Sequence, residues 1–184
     1  MYAGPLRDEP LAIELHNTVY MSDGVAYDGL ADPGWLDALV HRLPEGGAGS
    51  GPTRDELTAL RDAVRAALHA ALDARPHDAR VLATINRACA RAPRSAIAVW
   101  HRDADPTPAI DFHGASRADV IIGALAADAI ELLTGPDRSR LKACHAPGCV
   151  LLFLKDHPRR EWCSNACGNR ARQARHYRRA RGAR

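Results

Sequence analysis

Cys144, Cys149, Cys163 and Cys167 are spaced C-x4-C-x13-C-x3-C, two close pairs separated by a short span. Such pairs suit a tetrahedral ion: each occupies one turn or helix start, and the span between them folds back to join the two. Four thiolates close the coordination sphere of a Zn2+ ion and leave no position for water, so the site is expected to be structural and not hydrolytic. His145 and His157 flank the pairs but are superfluous as ligands once four cysteines are counted. Disulfides are the competing chemistry. They suit small secreted domains, whereas MYAGPLRDEP at the N-terminus lacks the apolar core of a signal peptide, and five cysteines leave Cys89 over. A cytoplasmic protein is therefore expected, with no apolar run near the roughly 20 residues of a membrane span.

The second pair runs straight into Arg170-Ala-Arg-Gln-Ala-Arg-His-Tyr-Arg-Arg-Ala-Arg181. Residues 155–184 hold ten Lys/Arg against two acidic residues, a local charge of +8, so the remainder carries −5 within a total of +3. An acidic body with a basic end suits contact with a phosphate backbone through that end. The plain alternative is a solvated basic tail. A run that starts inside a metal-organised helix favours nucleic acid.

At 184 residues and 46 % apolar, the chain holds one mid-sized domain and a small appendage. Its Ala- and Arg-rich composition looks bacterial. Residues 8–22 read as a first helix, capped by Asp8 with Pro10 in its first turn, or as a strand, since Leu11, Ile13 and Leu15 also alternate. Asp32-Pro33 opens a short helix that stops before Pro44, and residues 44–52 (PEGGAGSGP) read as a flexible loop. Thr53-Arg-Asp-Glu56 is a capping box, followed by Leu57, Leu60, Val64, Leu68 and Leu72 at helical spacing. A further helix spans about 78–92, with Val81, Leu82, Ile85 and Cys89 on one face, and ends at Pro93. Residues 95–101 and 109–113 alternate around Asp103-Ala-Asp-Pro-Thr-Pro, a hairpin signature. Ser116, with Asp119 three residues on, starts a helix that Gly135-Pro136 terminates. The expected class is α+β: a mostly helical domain with one β-hairpin over 1–135, then a small treble-clef-like finger over 136–184 ending in a basic helix. In the finger, Val150–Leu154 reads as a strand, Asp156-His-Pro-Arg-Arg as a turn, Trp162 as packing on the metal site and Ser164 as the last helix's cap. The two parts are expected to fold separately.

Cys163-Ser-Asn-Ala-Cys167-Gly168-Asn169-Arg170 resembles the hallmark of the CGNR zinc finger family. That family's fingers also begin with a C-x4-C pair and an apolar strand, and carry an Arg-Arg-x-Trp-Cys lead-in, here Arg159 to Cys163. Its members carry an N-terminal domain known as ABATE, marked by an early Asn-Thr and a downstream Asp-x-Leu; Asn17-Thr18 and Asp28-Gly-Leu30 stand at suitable places. The resemblance is specific over 144–172 and looser before 135. His157-Pro158 departs from the Ser-Arg-Asn type of turn common in relatives. The resemblance implies a bacterial transcription regulator whose finger binds DNA.

At about 100° per residue, Cys167, Ala171 and Ala174 share the inner side of the last helix. Opposite lie Asn169, Arg172, His176 and Arg179, flanked by Gln173 and Arg175; Arg with Asn or Gln makes the two-pronged base contacts of a major groove. Asn169 serves equally to tie the knuckle together. Arg170 points sideways, toward phosphates or the zinc-thiolate cluster. Asn17 and Thr18 are either caps or the lining of a small-molecule pocket. With no phosphate loop, HExxH string or triad spacing, an enzyme is not supported. The function expected is DNA-binding transcription regulation, with RNA binding or docking of an acidic protein as alternatives. A homodimer joined through apolar helix faces of 53–134 would read spaced half-sites.

Overall fold

The computed structural model describes residues 4–102 and 104–182. Six α-helices and three antiparallel strand pairs follow one another in these residues. The order is α1 (Leu11–His16), β1 (Val19–Ser22), β2 (Val25–Asp28), α2 (Gly34–Leu39), α3 (Arg54–Leu72), α4 (Ala79–Cys89), β3 (Ser95–Val99), β4 (Thr107–Asp111), α5 (Arg117–Thr134), β5 (Leu141–Ala143), β6 (Leu152–Leu154) and α6 (Asn165–Gly182). The α+β class is the one expected.

The long helices begin where their caps dictate. Thr53 and Glu56 form the reciprocal capping box of α3, and Ser116 caps α5 through the Asp119 amide. Arg91, just past α4, then bridges the two first-turn acids, donating to Glu56 at 2.7 Å and Asp119 at 2.6 Å. One guanidinium thus fixes the starts of α3 and α5 against the end of α4. Gly123 permits the close approach of α4 and α5, because a Cβ there would stand 3.2 Å from that of Ala92.

The apolar stripes meet in one core. Leu57, Leu60, Val64 and Leu68 of α3 pack with Ile122, Leu125 and Ala129 of α5, Ile85 of α4, Trp35, and Ile13 and Leu15 of α1. Leu141, Leu152 and Leu154 of β5 and β6 belong to the same core. The finger's hairpin is therefore packed against the helical body and shares its core.

Several local expectations are corrected. A second hairpin precedes α2: β1 and β2 pair from Val19↔Asp28 to Ser22↔Val25. Its turn is Asp23-Gly24, both at positive φ (51° and 79°), the pair that a two-residue hairpin loop favours. Residues 8–22 are neither one helix nor one strand: α1 ends at His16, and Pro10, not Asp8, holds its N-cap position. Residues 44–52 are pinned to the start of α5, where the Arg117 amide donates to the Ala48 carbonyl at 2.8 Å. Gly47, at φ +76°, lies so near the Ser116–Arg117 backbone that a Cβ would come within 2.7 Å. Cys89 is half-buried against the core and Ile85 is the buried residue of α4. The hairpin of β3 and β4 forms in register Ser95↔Asp111 to Val99↔Thr107, while Asp103 in its turn lies outside the described residues.

Candidate metal centre

The first knuckle is closed by backbone. The Cys144 amide donates to the Leu151 carbonyl and the Cys149 amide to that of Ala146, both at 2.9 Å, with Gly148 at φ +71° making the turn. The second pair sits at a helix start. Ser164 accepts from the Cys167 amide through its hydroxyl, and its carbonyl accepts from Gly168, so Ser164 caps α6 as expected. Cys163 stands just before the helix and Cys167 in its first turn.

All four sulfurs lie within 4.8 Å of one another, with Cys149–Cys163 at 3.8 Å and Cys163–Cys167 at 3.5 Å. Zn–S bonds of 2.3 Å in a tetrahedron require sulfur separations of about 3.8 Å, so the set fits one zinc ion. Mutual crowding of the thiols pushes Cys163 far up, and Cys149 up to about 11, while contacts from Cys149 and Cys163 drive Cys144 strongly down. Four thiolates cannot share so small a volume without a cation to offset their charge. Cys144, Cys163 and Cys167 are buried and Cys149 is half-buried, under Leu151, Phe153 and Trp162.

The residues after Cys167 have physical reasons of their own. Gly168 faces Trp162, whose Cδ1 would stand 2.9 Å from any Cβ there; a side chain would lift the tryptophan off the centre. Asn169 is exposed and accepts from Arg172 one turn on. Arg170 donates to Cys167 Sγ at 3.2 Å, toward the cluster's negative charge. Ala171 is buried and Ala174 half-buried, whereas Arg172, Gln173, Arg175, His176 and Arg179 are all exposed. His157 accepts from the Arg159 amide in its turn, and His145 is exposed beside Cys144.

Asn17 is wholly buried and grips the finger. Its Oδ1 accepts from the Leu152 amide at 2.9 Å and its Nδ2 donates to the Leu152 carbonyl at 3.0 Å. Thr18 donates to the Leu15 carbonyl and accepts from Arg61, which also bonds Asp28. Asp28 in turn accepts from the Leu30 amide. The Asn-Thr and Asp-x-Leu signatures thus meet in space through one arginine. Burial opposes ionisation of Asp28, but Arg61 and the Leu30 amide hold its pKa below the ordinary value.

Two contacts escaped the sequence. Glu9, buried, accepts from the Leu154 amide at 2.9 Å and from Arg160 at 2.5 Å, while Arg160 also donates to the Leu154 carbonyl. Its guanidinium lies 4.9 Å from the centre of the Phe153 ring. Glu9 stands 151 residues from Arg160, and no local pattern announces such a pair.

Residues 9–136 match the model of the ABATE family, described as a putative stress-induced transcription regulator. The chain belongs to the ABATE family. Residues 140–180 match the CGNR zinc finger, so the four-cysteine centre, with one structural zinc, is that of a CGNR finger. Neither description names an enzymatic activity. A search of curated proteins gives no match. Among the described residues, no helix of this ABATE protein is long and apolar enough to cross a membrane.

Proposed function

We propose that this ABATE protein binds duplex DNA through α6 and regulates transcription in the cytoplasm of a bacterium. The observation that carries the reading is the state of α6. Its 18 residues extend about 27 Å, and from Arg175 to Arg181 every residue is exposed. Arg170, Arg172, Arg175, Arg178, Arg179 and Arg181 stand on it, and no acidic residue follows Glu161. Only the first turns are held by the metal centre. A rigid, unopposed positive rod anchored at one end suits a major groove.

The side opposite Cys167, Ala171 and Ala174 presents Asn169, Arg172, His176 and Arg179 for base edges, with Gln173 and Arg175 on its flanks. Arg170, committed to Cys167 Sγ, acts as a fastener of the helix and reaches a phosphate only secondarily. Tyr177 alone among aromatics accompanies the run, which gives single-stranded RNA little to stack on.

A lone finger reads few base pairs, so two copies on spaced half-sites are needed. The helix faces expected to join them are not free: Leu57, Leu60, Val64, Leu68 and Leu125 are buried in their own chain's core. The β3–β4 hairpin instead leaves Ile97, Trp100 and Ile110 exposed, and is the surface assigned here to the second copy. Selection of bound duplexes from a random pool by the zinc-loaded chain tests the function. Recovery of a two-part motif is expected; enrichment of no sequence, or stronger retention of structured RNA at equal salt, would refute it.

A further inference from the structure

A cleft of about 860 Å³ opens where the end of α3 meets the segment leading into the first knuckle. His69, Arg138, Lys142 and His145 line it, with Asp73 and Ser139. Asp73 is paired with Arg75 at 2.8 Å. Among the described residues Lys142 bonds the Ser139 carbonyl, at 3.3 Å, and no carboxylate there pairs with it or with Arg138, which lines the same cleft. All three residues of β5, Leu141 to Ala143, line it as well, immediately before Cys144.

His69 also ends a buried chain of hydrogen bonds. Its Nε2 lies 3.2 Å from Nε2 of His16, and Nδ1 of His16 lies 3.0 Å from Oδ1 of Asn17. Asn17's orientation is set by Leu152, whose amide donates to Oδ1 and whose carbonyl accepts from Nδ2. Oδ1 only accepts, so Nδ1 of His16 carries the proton. With His16 fully buried and neutral, its Nε2 must accept, and His69 Nε2 must donate. The remaining ring nitrogen of neutral His69, Nδ1, is then an acceptor, on a residue that lines the cleft.

We propose that this cleft binds a small anion that also carries a hydroxyl, such as a phosphate monoester or a hydroxy acid, and that the finger senses its occupancy. Arg138 and Lys142 hold the anionic oxygens, and His69 Nδ1 accepts from the hydroxyl. Pull on His69 is passed through His16 and Asn17 to the backbone of β6, and directly through β5 to Cys144. The site does not depend on what α6 binds, and the anion is read by titration in the absence of DNA.

The zinc-loaded full chain, labelled with nitrogen-15, is titrated with inorganic phosphate and in parallel with sulfate, which has no proton to offer at neutral pH. Saturable amide and imidazole shifts are expected at Lys142, His69, His16 and Leu152, with phosphate bound roughly tenfold tighter than sulfate. Arg138→Ala and Lys142→Ala, both at exposed positions, each weaken phosphate by roughly tenfold. His69→Phe abolishes the preference over sulfate and stops the shifts from reaching Leu152. Absence of saturable shifts up to about 50 mM phosphate, a range that includes millimolar binding, would overturn the site. Phosphate affinity unaltered in Lys142→Ala would overturn it too. Loss of DNA affinity in that variant, with a flatter salt slope, would assign the cleft to a nucleic acid backbone instead.

Discussion

Replacing Asn17 by alanine is the sharpest test of how the body and the finger are joined. The side chain is fully buried and satisfies three groups: the amide and the carbonyl of Leu152, and Nδ1–H of His16. A buried polar group left without a partner costs about 1–3 kcal/mol. Three such groups sum to roughly 3–9 kcal/mol, and one water entering the vacated space would re-satisfy part, leaving an expected loss of about 3–5 kcal/mol. Native stability is of order 5–15 kcal/mol, so the variant stands near the threshold of folding. Asn17→Asp fares no better, since it removes the donor to Leu152 and buries a charge. Urea unfolding followed by circular dichroism reads the loss, and a colorimetric chelator in the same samples reads zinc release. Helix loss and zinc release are expected to shift together to lower urea. A shift worth less than about 1 kcal/mol, or zinc held unchanged while the helices melt, would refute the interlock.

Cys163→Ser is expected to abolish stoichiometric zinc by elemental analysis and to lower the melting temperature of the whole chain; an unchanged midpoint for the helices would show that residues 1–135 fold independently after all. Stability is expected to fall as pH drops from about 6.5, because burial, with Arg65 and His69 adding to it, depresses His16 to about 3. The folded chain therefore binds fewer protons than the unfolded one between those values. The loss is at most about 1.4 kcal/mol per pH unit, and a flatter profile in His16→Gln, measured by urea midpoints, separates it from zinc release. For DNA, log affinity against log salt is expected to slope by roughly −4 to −5. Arg175→Ala flattens this by about one unit, while Arg172→Ala loses about 1–3 kcal/mol at one base pair only. Equal losses on all sequences would leave α6 an electrostatic tether. Trp100→Ser is expected to weaken any dimer seen by sedimentation, and an unchanged dimer would exclude the hairpin.

Local signals were legible, and they concern neighbours in sequence. The capping box at Thr53, the serine caps at 116 and 164, and the leucine spacing of α3 each stabilise a helix through residues one turn apart. The cysteine pairs belong to the same class. The Asp23-Gly24 turn is equally local, but the helical period of Leu11, Leu15 and Val19 runs up to it and masks β1. What the sequence hid are side chains whose partners lie far away. Asn17 and Leu152 are 135 residues apart, and Glu9 and Arg160 are 151 apart. A buried glutamate reads in sequence as a surface charge, since burial is tolerated only where a distant guanidinium and amide await it.

Those distant pairs change what the zinc does. A structural zinc contributes on the order of 10–16 kcal/mol of apparent binding energy at neutral pH. Were the finger a separate bead, that energy would stabilise the finger alone. Here the strand following the first knuckle carries Leu152 and Leu154 in the shared core, and its backbone is held at Leu152 by Asn17 and at Leu154 by Glu9. Release of the metal frees Cys144 and Cys149, which bracket the turn that sets the β5–β6 register. Slippage by one residue would turn Leu152 and Leu154 out of the core and Phe153 into it. The body would then lose two apolar side chains, and Asn17 Oδ1 and Glu9 Oε2 would lose their amide partners, at once. Zinc supply and the integrity of the helical body are therefore expected to behave as one equilibrium, which would reach the base of α6 through Cys163 and Cys167.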